Sequence, residues 1–212
     1  MLILGLTEPP HLELLYRFRY DILVKELRWL SSDRGKILDE YDMFAYNYAA
    51  FDEDRNIVGS IRVVHDGPLG LPLERLNSLD FYRGRKHLVE FCRLAVARQY
   101  RNSRLPLKLM AAAYQCADLT GGTHVVLDAF LEEEALYTGL AFKRISEPYS
   151  DPQYNCNSQV VTMATHMKKA ISIMKRDRPA VYRMLTQNDK SIIHGELCQE
   201  IVLFEEPTFY WS

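Results

Sequence analysis

Apolar residues recur at helical spacing near the start of the chain, immediately after a segment that suits a helix start. Thr7 can cap that start, and Pro9 and Pro10 are tolerated in a first turn. The spacing therefore predicts a first helix that runs to about Leu27. Its apolar stripe comprises Leu12, Leu15, Tyr16, Ile22, Leu23 and Leu27.

Alternating and continuous apolar runs further along predict strands between helices. "YNYAAF" and "NIVGSIRVVH" form a predicted hairpin joined by "DEDR", and "HLVEFCRLAV" is the predicted central strand. Asn102 or Ser103 can cap the next helix, which has Pro106 in its first turn and ends near Gly121. "THVVLDAF" is then a strand, and "EEEALYTGLAF" is a short helix.

The last third continues the alternation of strands and helices. "FKRISEPY" and "NSQVVTMATHM" are predicted strands, and a basic amphipathic helix is predicted from Lys168 to about Thr186. The order predicts one α/β domain with a mixed sheet. We expect residues 1–166 to form its body and residues 167–212 a helical extension and tail of the same domain.

Composition excludes several classes of function. The 212 residues are 48% apolar and 25% charged with a net charge of -2, which argues against general affinity for nucleic acid or anionic membranes. No run approaches the roughly 20 apolar residues of a membrane span. "MLILGL" is too short for a signal peptide, and the four cysteines are scattered without metal spacing, so we expect a cytoplasmic protein with no metal site.

Three charged residues stand in apolar surroundings. Arg19 lies within the first helical stripe, and Arg62 alternates with apolar residues in the second hairpin strand. A buried cation is costly unless it is paired, so each should meet a carboxylate. Glu90 stands in mid-strand. It would share a face with Arg93 only if a β-bulge inserts an extra residue between them.

The order of these elements resembles the Gcn5-related N-acyltransferase fold, with three layers and splayed central strands, and this resemblance implies a β-bulge in the central strand. That family carries a glycine-rich loop after the central strand, which holds the pyrophosphate of coenzyme A. This chain has "RNSRLP" at residues 101–106, without either glycine. The acyl-homoserine-lactone synthases and N-acyl amino acid synthases share the fold but take acyl groups from acyl carrier protein, and this chain resembles them more closely. The resemblance rests on Arg19, Trp29, Asp39, Asp42, Arg62, Glu90 and Arg93, with Leu23 in place of an expected aromatic residue.

The resemblance implies roles for residues at each step of an acyl transfer. Catalysis is assigned to Glu90, Arg93 and Tyr137, although a packed aromatic explains Tyr137 equally well. Binding of an amino-acid acceptor is assigned to Arg19, Trp29, Asp39, Asp42 and Arg62, which could also be only a structural ion-pair cluster. Binding of the donor is assigned to Leu94, Ala95, Val96, Arg98, Arg101, Arg104 and Lys108. The donor is the phosphopantetheine thioester of acyl carrier protein, and no bound cofactor is expected.

Alternatives remain at several positions. The basic run from Arg98 to Lys108 is a solvated face or a docking surface for an acidic carrier protein. Cys92 is a nucleophile or, more simply, a small core residue. The acyl chain is expected along Leu105, Leu109, Met110 and Tyr114 and the strand "VVLDAF". For the whole protein we expect an N-acyl amino acid synthase. The alternatives are an autoinducer synthase using S-adenosylmethionine and a non-catalytic module that binds acyl carrier protein.

Overall fold

A computed structural model describes residues 1–80, 82, 87–155, 158–187 and 189–195 of the chain. The helices are α1 (Pro9–Tyr20), α2 (Leu105–Leu119), α3 (Glu134–Thr138), α4 (Met167–Asp177) and α5 (Pro179–Thr186). The strands are β1 (Leu2–Leu6), β2 (Ala45–Phe51), β3 (Ile57–His65), β4 (Leu88–Val96), β5 (His124–Phe130), β6 (Lys143–Arg144), β7 (Val160–His166) and β8 (Ile192–Ile193).

The eight strands form one mixed sheet in the order β6-β7-β5-β4-β3-β2-β1-β8. β4 and β5 pair in parallel, as do β1 and β8, and the other neighbours are antiparallel. The connection from β4 to β5 runs through α2, which lets two parallel strands lie side by side.

Helices and loops cover both faces of the sheet. On one face, Leu105 and Leu109 of α2 pack into the main core with Phe91 of β4. On the other face, Leu15 of α1 packs against Ala49 of β2. The sheet is therefore the middle of three layers, which confirms the predicted fold class.

The central strands separate part-way along their length. β4 and β5 pair only over Leu88–Glu90 and His124–Val126, and from Phe91 onward β4 has no partner on that side among the described residues. The opposite edge of β4 remains paired with β3. A wedge-shaped opening is thus built into the sheet, and the prediction of splayed central strands is confirmed.

Several predicted boundaries are wrong. Glu8, not Thr7, precedes α1, and a π-helical turn over Asp21–Glu26 continues that helix. The predicted basic helix is broken at Arg178 into α4 and α5, because Pro179 cannot continue α4. "MLILGL" forms β1, which was not predicted, and most of the final tail lies outside the described residues.

Candidate active site

The opening between β4 and β5 is a cleft with a cavity volume of about 290 Å³. Its lining combines charged and apolar side chains. The charged residues are Arg62, Arg75, Glu90, Arg93, Arg101, Asp128 and Glu133. The apolar residues include Leu23, Leu27, Leu94, Ala95, Val96, Phe130 and Leu136. The cleft can thus hold a polar acceptor beside an apolar chain.

A β-bulge in β4 brings two predicted catalytic residues to one face. Ser60 pairs with Ala95 and Arg62 with Cys92, so β4 holds one more residue than β3 between these pairs. Arg93 is the extra residue, with a φ of 55°. In a regular strand Glu90 and Arg93 would point to opposite faces, but here both line the cleft. The predicted bulge is confirmed.

A cluster of ion pairs holds the guanidinium group of Arg62. Its Nη1 donates to Asp39 Oδ1 at 2.6 Å and to Asp42 Oδ2 at 2.8 Å. Arg93 Nη2 donates to Asp39 Oδ2 at 3.1 Å, which joins the bulge to the cluster. Although burial opposes it, the adjacent Arg62 and Arg93 hold the pKa of Asp39 well below its usual range. The expected pairing of Arg62 is confirmed.

Arg19 completes the cluster from the interior. Its Nη1 donates to Asp42 Oδ1 at 3.0 Å and its Nη2 to Asn47 Oδ1 at 2.7 Å, so its expected carboxylate partner is confirmed. The side chain is fully buried, and burial lowers its pKa to about 10 against the attraction of Asp42. Arg19, Asp39 and Asp42 lie behind Arg62 and do not line the cleft. Their predicted contact with an acceptor stays a prediction.

Glu90 lies at the closed end of the cleft. Its Oε2 accepts a hydrogen bond of 2.9 Å from the backbone N–H of Leu73, and only 4% of the residue is exposed. Burial raises the pKa of Glu90 to about 8, and the nearby Asp128 raises it further against the effect of the Leu73 hydrogen bond. At neutral pH the carboxyl is therefore mostly protonated. The predicted role of Glu90 as a general base requires the ionised carboxylate, which is the minor form at that pH.

Cys92 has the chemistry of a buried thiol. Arg62 Nε donates to Cys92 Sγ at 3.3 Å, and burial raises the pKa of the thiol to about 12. Since the thiolate is the nucleophilic form, this environment disfavours covalent catalysis by Cys92. The simpler interpretation as a packed side chain fits the structure.

Asp128 on β5 is a cleft residue that we did not predict. Thr162 Oγ1 donates to Asp128 Oδ1 at 2.8 Å. Burial raises the pKa of Asp128 to about 6, opposed by hydrogen bonds from Tyr149 and Thr162. Asp128 could have been predicted from the sequence, because it is a single acidic residue within the apolar run "VVLDAF". Glu90 was singled out for the same reason.

Two predicted aromatic residues line the cleft. Trp29 packs edge-on against Phe130 with ring centroids 4.7 Å apart. Tyr137 of α3 is nearly buried, and burial raises its pKa well above the usual range. Trp29 and Tyr137 therefore lie on the walls of one site, and their functional roles stay predictions.

The basic run after β4 is only partly available for a partner. Arg101 donates from Nε to the carbonyl of Val96 at 2.9 Å and pairs with Glu26 at 2.8 Å. Lys108 pairs with Asp189 at 2.9 Å. Arg98 and Arg104 are exposed. Arg101 and Lys108 are therefore engaged with acidic side chains of this chain, whereas Arg98 and Arg104 remain exposed for a partner.

Most of the chain matches a known protein family. The profile of the N-acyl amino acid synthase FeeM family matches residues 15–166, about seven-tenths of the chain. The chain belongs to the FeeM family. It is an N-acyltransferase. No curated protein matched in a sequence search.

Solved structures share the fold of this FeeM-family protein at low sequence identity. FeeM from uncultured soil microbes aligns with a TM-score of 0.67 and 18% identity, covering 80% of this chain and 92% of that chain. The coenzyme-A-dependent acyl-homoserine lactone synthase BjaI, with S-adenosylmethionine and isopentyl-CoA, aligns with a TM-score of 0.65 and 22% identity, covering 82% and 88%. A putative N-acetyltransferase from Lactobacillus plantarum gives 0.57 and 19%, covering 78% and 97%.

The path predicted for the acyl chain of this N-acyltransferase is corrected in part. Leu105, Leu109, Met110 and Tyr114 of α2 are buried in the main core and do not line the cleft. Phe130, from the strand "VVLDAF", does line it. The apolar lining instead includes residues from the end of β4, the π-helical turn and α3, and from α2 it includes Pro106.

Two further observations concern the described residues of this family member. No helix among them has the length and apolar character needed to cross a membrane. Within the same part of the chain, no group of three or more His, Cys, Asp or Glu side chains is arranged to hold a metal ion.

Proposed function

We propose that the protein transfers a fatty acyl group from the phosphopantetheine thioester of acyl carrier protein to the α-amine of an amino acid. The single observation that carries the proposal is the cleft where β4 leaves β5, with Glu90 and the bulged Arg93 on one wall. Membership of the FeeM family supports the same type of reaction. The product is an N-acyl amino acid and a free carrier thiol.

The donor side favours a carrier protein over coenzyme A. A pyrophosphate cradle needs free backbone N–H groups at a helix start. Here the N–H of Ser103 donates to the carbonyl of Tyr100 at 3.1 Å, and the N–H of Leu105 donates to Ser103 Oγ at 3.1 Å. Pro106 has no N–H. These backbone groups are already used, so a pantetheine arm held by a docked protein suits the site better.

The open edge of β4 suits a pantetheine arm and its thioester. From Phe91 onward the backbone edge facing β5 is unpaired among the described residues, and Leu94, Ala95 and Val96 line the cleft. Backbone N–H groups there can bind the pantetheine amides and the oxyanion of the tetrahedral intermediate. One such donor to an oxyanion contributes about 3 kcal/mol.

The acceptor side combines Arg93 with an interior that holds it in place. Arg93 gives one hydrogen bond to Asp39, so its remaining N–H donors can bind the acceptor carboxylate in a two-pronged contact. Arg62 and Trp29 line the same region. Arg19, Asp39 and Asp42 then act behind the cleft, by fixing the guanidinium groups of Arg62 and Arg93.

The chemistry is direct attack without a covalent enzyme intermediate. The α-amine of a free amino acid is protonated at neutral pH, because the adjacent carboxylate raises its pKa above the roughly 7.7–8.0 of a chain-terminal α-amine, so the site must remove that proton before the attack. The amine nitrogen attacks the thioester carbonyl, the C–S bond breaks, and the thiolate leaves. Tyr137 is assigned to protonate that thiolate, as the family resemblance implies.

The test is a product analysis with competing substrates. Palmitoyl carrier protein is incubated with the protein, the twenty common amino acids and S-adenosylmethionine, and products are identified by mass spectrometry. N-acyl amino acids support the proposal. Acyl lactones would instead support the second candidate, an autoinducer synthase, which the similarity to BjaI favours. Carrier binding without any product would indicate a non-catalytic module.

The source of the acyl group has its own test. Replacing Arg98 and Arg104 by Glu should slow association with palmitoyl carrier protein about tenfold at low salt, and less at high salt. The matched control is Arg17→Glu on α1, where the side chain is also exposed. Faster turnover with palmitoyl coenzyme A than with the carrier thioester would contradict the proposed donor.

A further inference from the structure

Asp128 lies on β5 at the point where the central strands part. Glu90 and Val126 form the last pair between β4 and β5. Paired residues of adjacent strands share a face, and so do residues two apart on one strand. Asp128 is therefore on the face of Glu90, one step into the opening, and both side chains line the cleft.

The Asp128 carboxylate is held from behind by polar side chains. Thr162 of β7 donates to it at 2.8 Å, and the Tyr149 hydroxyl lies 3.2 Å from Thr162 Oγ1. Asn77 Nδ2 also donates to Thr162 Oγ1 at 3.3 Å. This network orients the carboxylate, and no ion pair to it is present in the described part of the chain. Its remaining oxygen lone pairs can face the cleft.

Arg93 and Asp128 both line the cleft. Burial raises the pKa of Tyr154, and the charges of Arg93 and Asp128 act on it with opposite signs, the first lowering it and the second raising it. Tyr154 also lines the cleft. A cation on β4 and a carboxylate on β5, beside a common aromatic ring, match the carboxylate and ammonium of an amino acid.

We propose that Asp128 contacts the ammonium group of the acceptor and takes up its proton, so that the neutral amine attacks the thioester. This assignment rests on the proposed function for the acceptor class. It makes Asp128 a catalytic residue and leaves Glu90 as a protonated side chain at the closed end of the cleft. Asp128 is ionised at neutral pH, where its pKa of about 6 is close to the range that suits a general base.

The proton balance is simple. Asp128 accepts one proton from the ammonium, and the nitrogen then forms the C–N bond. As the C–S bond breaks, the second amine proton leaves the nitrogen and the departing thiolate is protonated. Asp128 returns its proton to water before the next turnover. The step needs no oxidant, reductant or further co-reactant.

The titratable groups near Asp128 define the pH range in which it acts. Glu90 faces it from β4, and Tyr149, Asp151 and Tyr154 face it from the segment before β7. Glu90 is largely neutral below pH 8, and the negative charge of Asp151 raises the pKa of Asp128. The other charged side chains lining the cleft are Arg62, Arg75, Arg93, Arg101 and Glu133.

The test compares Asp128→Asn with Glu90→Gln in pH profiles of kcat/KM. Wild type should show a rising limb near pH 6. Asp128→Asn should lose at least about 100-fold at pH 6.5, within the range for a general base. Its rising limb should move upward to the pH at which the acceptor amine loses its own proton, above the roughly 7.7–8.0 of a chain-terminal α-amine. Glu90→Gln should keep the wild-type limb and lose less than about tenfold, below that range.

Opposite results would overturn the assignment. If the rising limb of the kcat/KM profile stays in place in Asp128→Asn, or if kcat/KM falls by the same factor at every pH, Asp128 has a structural role only. A limb that moves in Glu90→Gln assigns the base to Glu90. If Asp128→Asn fails to fold, Thr162→Val replaces it, because loss of the hydroxyl donor should raise the pKa of Asp128 and move the limb upward. Thr162→Ser, which keeps the hydroxyl, should not move it, and an unmoved limb in Thr162→Val overturns the assignment.

A second acceptor separates this assignment from the proposed function. 2-Phenylethylamine has an amine but no carboxylate, and it is assayed beside the amino acids. Transfer to 2-phenylethylamine alone contradicts the proposed acceptor class, yet Asp128→Asn must still move the limb if Asp128 takes the proton. Transfer to amino acids with no effect of Asp128→Asn contradicts only the role of Asp128.

Discussion

Two charged regions share one face of the sheet and differ in how their charges are balanced. In the ion-pair cluster, Arg19, Arg62 and Arg93 are bonded to Asp39 and Asp42. The acid pair, Glu90 and Asp128, has no ion pair to either carboxyl among the described residues. A buried cluster of paired charges returns little net stability. The ion-pair cluster gives this part of the site a defined shape, whereas the carboxyls of the acid pair, which have no cation bound to them, can exchange protons near neutral pH.

Removing one member of the ion-pair cluster should produce the largest effect. Arg62→Met leaves Asp39 and Asp42 without their main partner and should lower the free energy of unfolding by about 3–5 kcal/mol. Urea denaturation at pH 7 measures this loss. Arg17→Met breaks only the exposed pair with Glu13 and should leave the free energy of unfolding almost unchanged. Equal losses in the two variants would mean that the cluster is not specially important for stability.

The contributions of the two regions to folding stability should also change with pH in opposite directions. The pKa of Asp39 is depressed, so its contribution to stability is present near neutral pH and is lost as the pH falls through its ordinary range and below. The pKa of Glu90 is raised from 4.5 to about 8. The folded protein therefore holds a proton that the unfolded chain releases, and stability falls as the pH rises through this window.

Glu90→Gln should remove the fall in stability with rising pH that the Glu90 carboxyl causes. Between pH 6 and 7 the wild-type free energy of unfolding should fall about 1.4 kcal/mol per pH unit more steeply than that of the variant, and this difference should shrink as the pH approaches 8. Denaturation at several pH values measures the difference. Glu53→Gln, at an exposed hairpin turn, should leave the slope as it is in wild type. Parallel slopes for Glu90→Gln and wild type would contradict the raised pKa.

Arg93 joins the two regions, and its replacement should have an intermediate effect. Glycine tolerates the φ of 55° at this position, so Arg93→Gly keeps the bulge and removes the guanidinium. A hydrogen-bonded charge contributes about 1.5–3 kcal/mol, so KM for an amino acid should rise about 10–100-fold.

The same variant should barely alter KM for 2-phenylethylamine, because that acceptor has no carboxylate. Arg93→Lys keeps the charge but not the two-pronged geometry, and its KM should lie between those of wild type and Arg93→Gly. A similar rise in KM for both acceptors would show that Arg93 acts through the shape of β4 instead.

Cys92 should give the smallest effect, although it lies between the two regions. Its thiol has a pKa of about 12, so iodoacetamide should label it slowly at pH 7.5. Cys92→Ala should change turnover by less than the tenfold that about 1.4 kcal/mol represents. Loss of all activity in Cys92→Ala, with an acyl-enzyme in wild type by mass spectrometry, would restore the nucleophile interpretation.

Much of the sheet could be predicted because its strands have strong apolar patterns bounded by turn residues. The segments of β2, β3, β4, β5 and β7 were all assigned as strands. β1 was missed because five apolar residues at a chain start look the same whether or not a sheet edge receives them. The break at Pro179 was missed because apolar spacing continues across it, from Met174 to Leu185.

The candidate site was predictable to a different degree in each region. The ion-pair cluster was predictable from Arg19 and Arg62, because a cation on an apolar face needs a carboxylate partner. The structure has such a partner for each of them. The bulge at Arg93 could not be read from local pattern, since the β-branched and apolar residues around it suit a regular strand. It was expected only from family resemblance. Asp128 depends on which strand lies next to β4, a fact of topology and not of spacing.

One feature far from the cleft has a practical consequence for shortened chains. β8 pairs with β1 and is anchored where Lys108 meets Asp189 and where His194 lies 2.7 Å from the Tyr48 hydroxyl. Truncation after Gln187 would uncover the hydrogen-bonding groups on the outer side of β1. A bare strand of that kind recruits strands from other molecules, so such a product should self-associate even with its catalytic half intact.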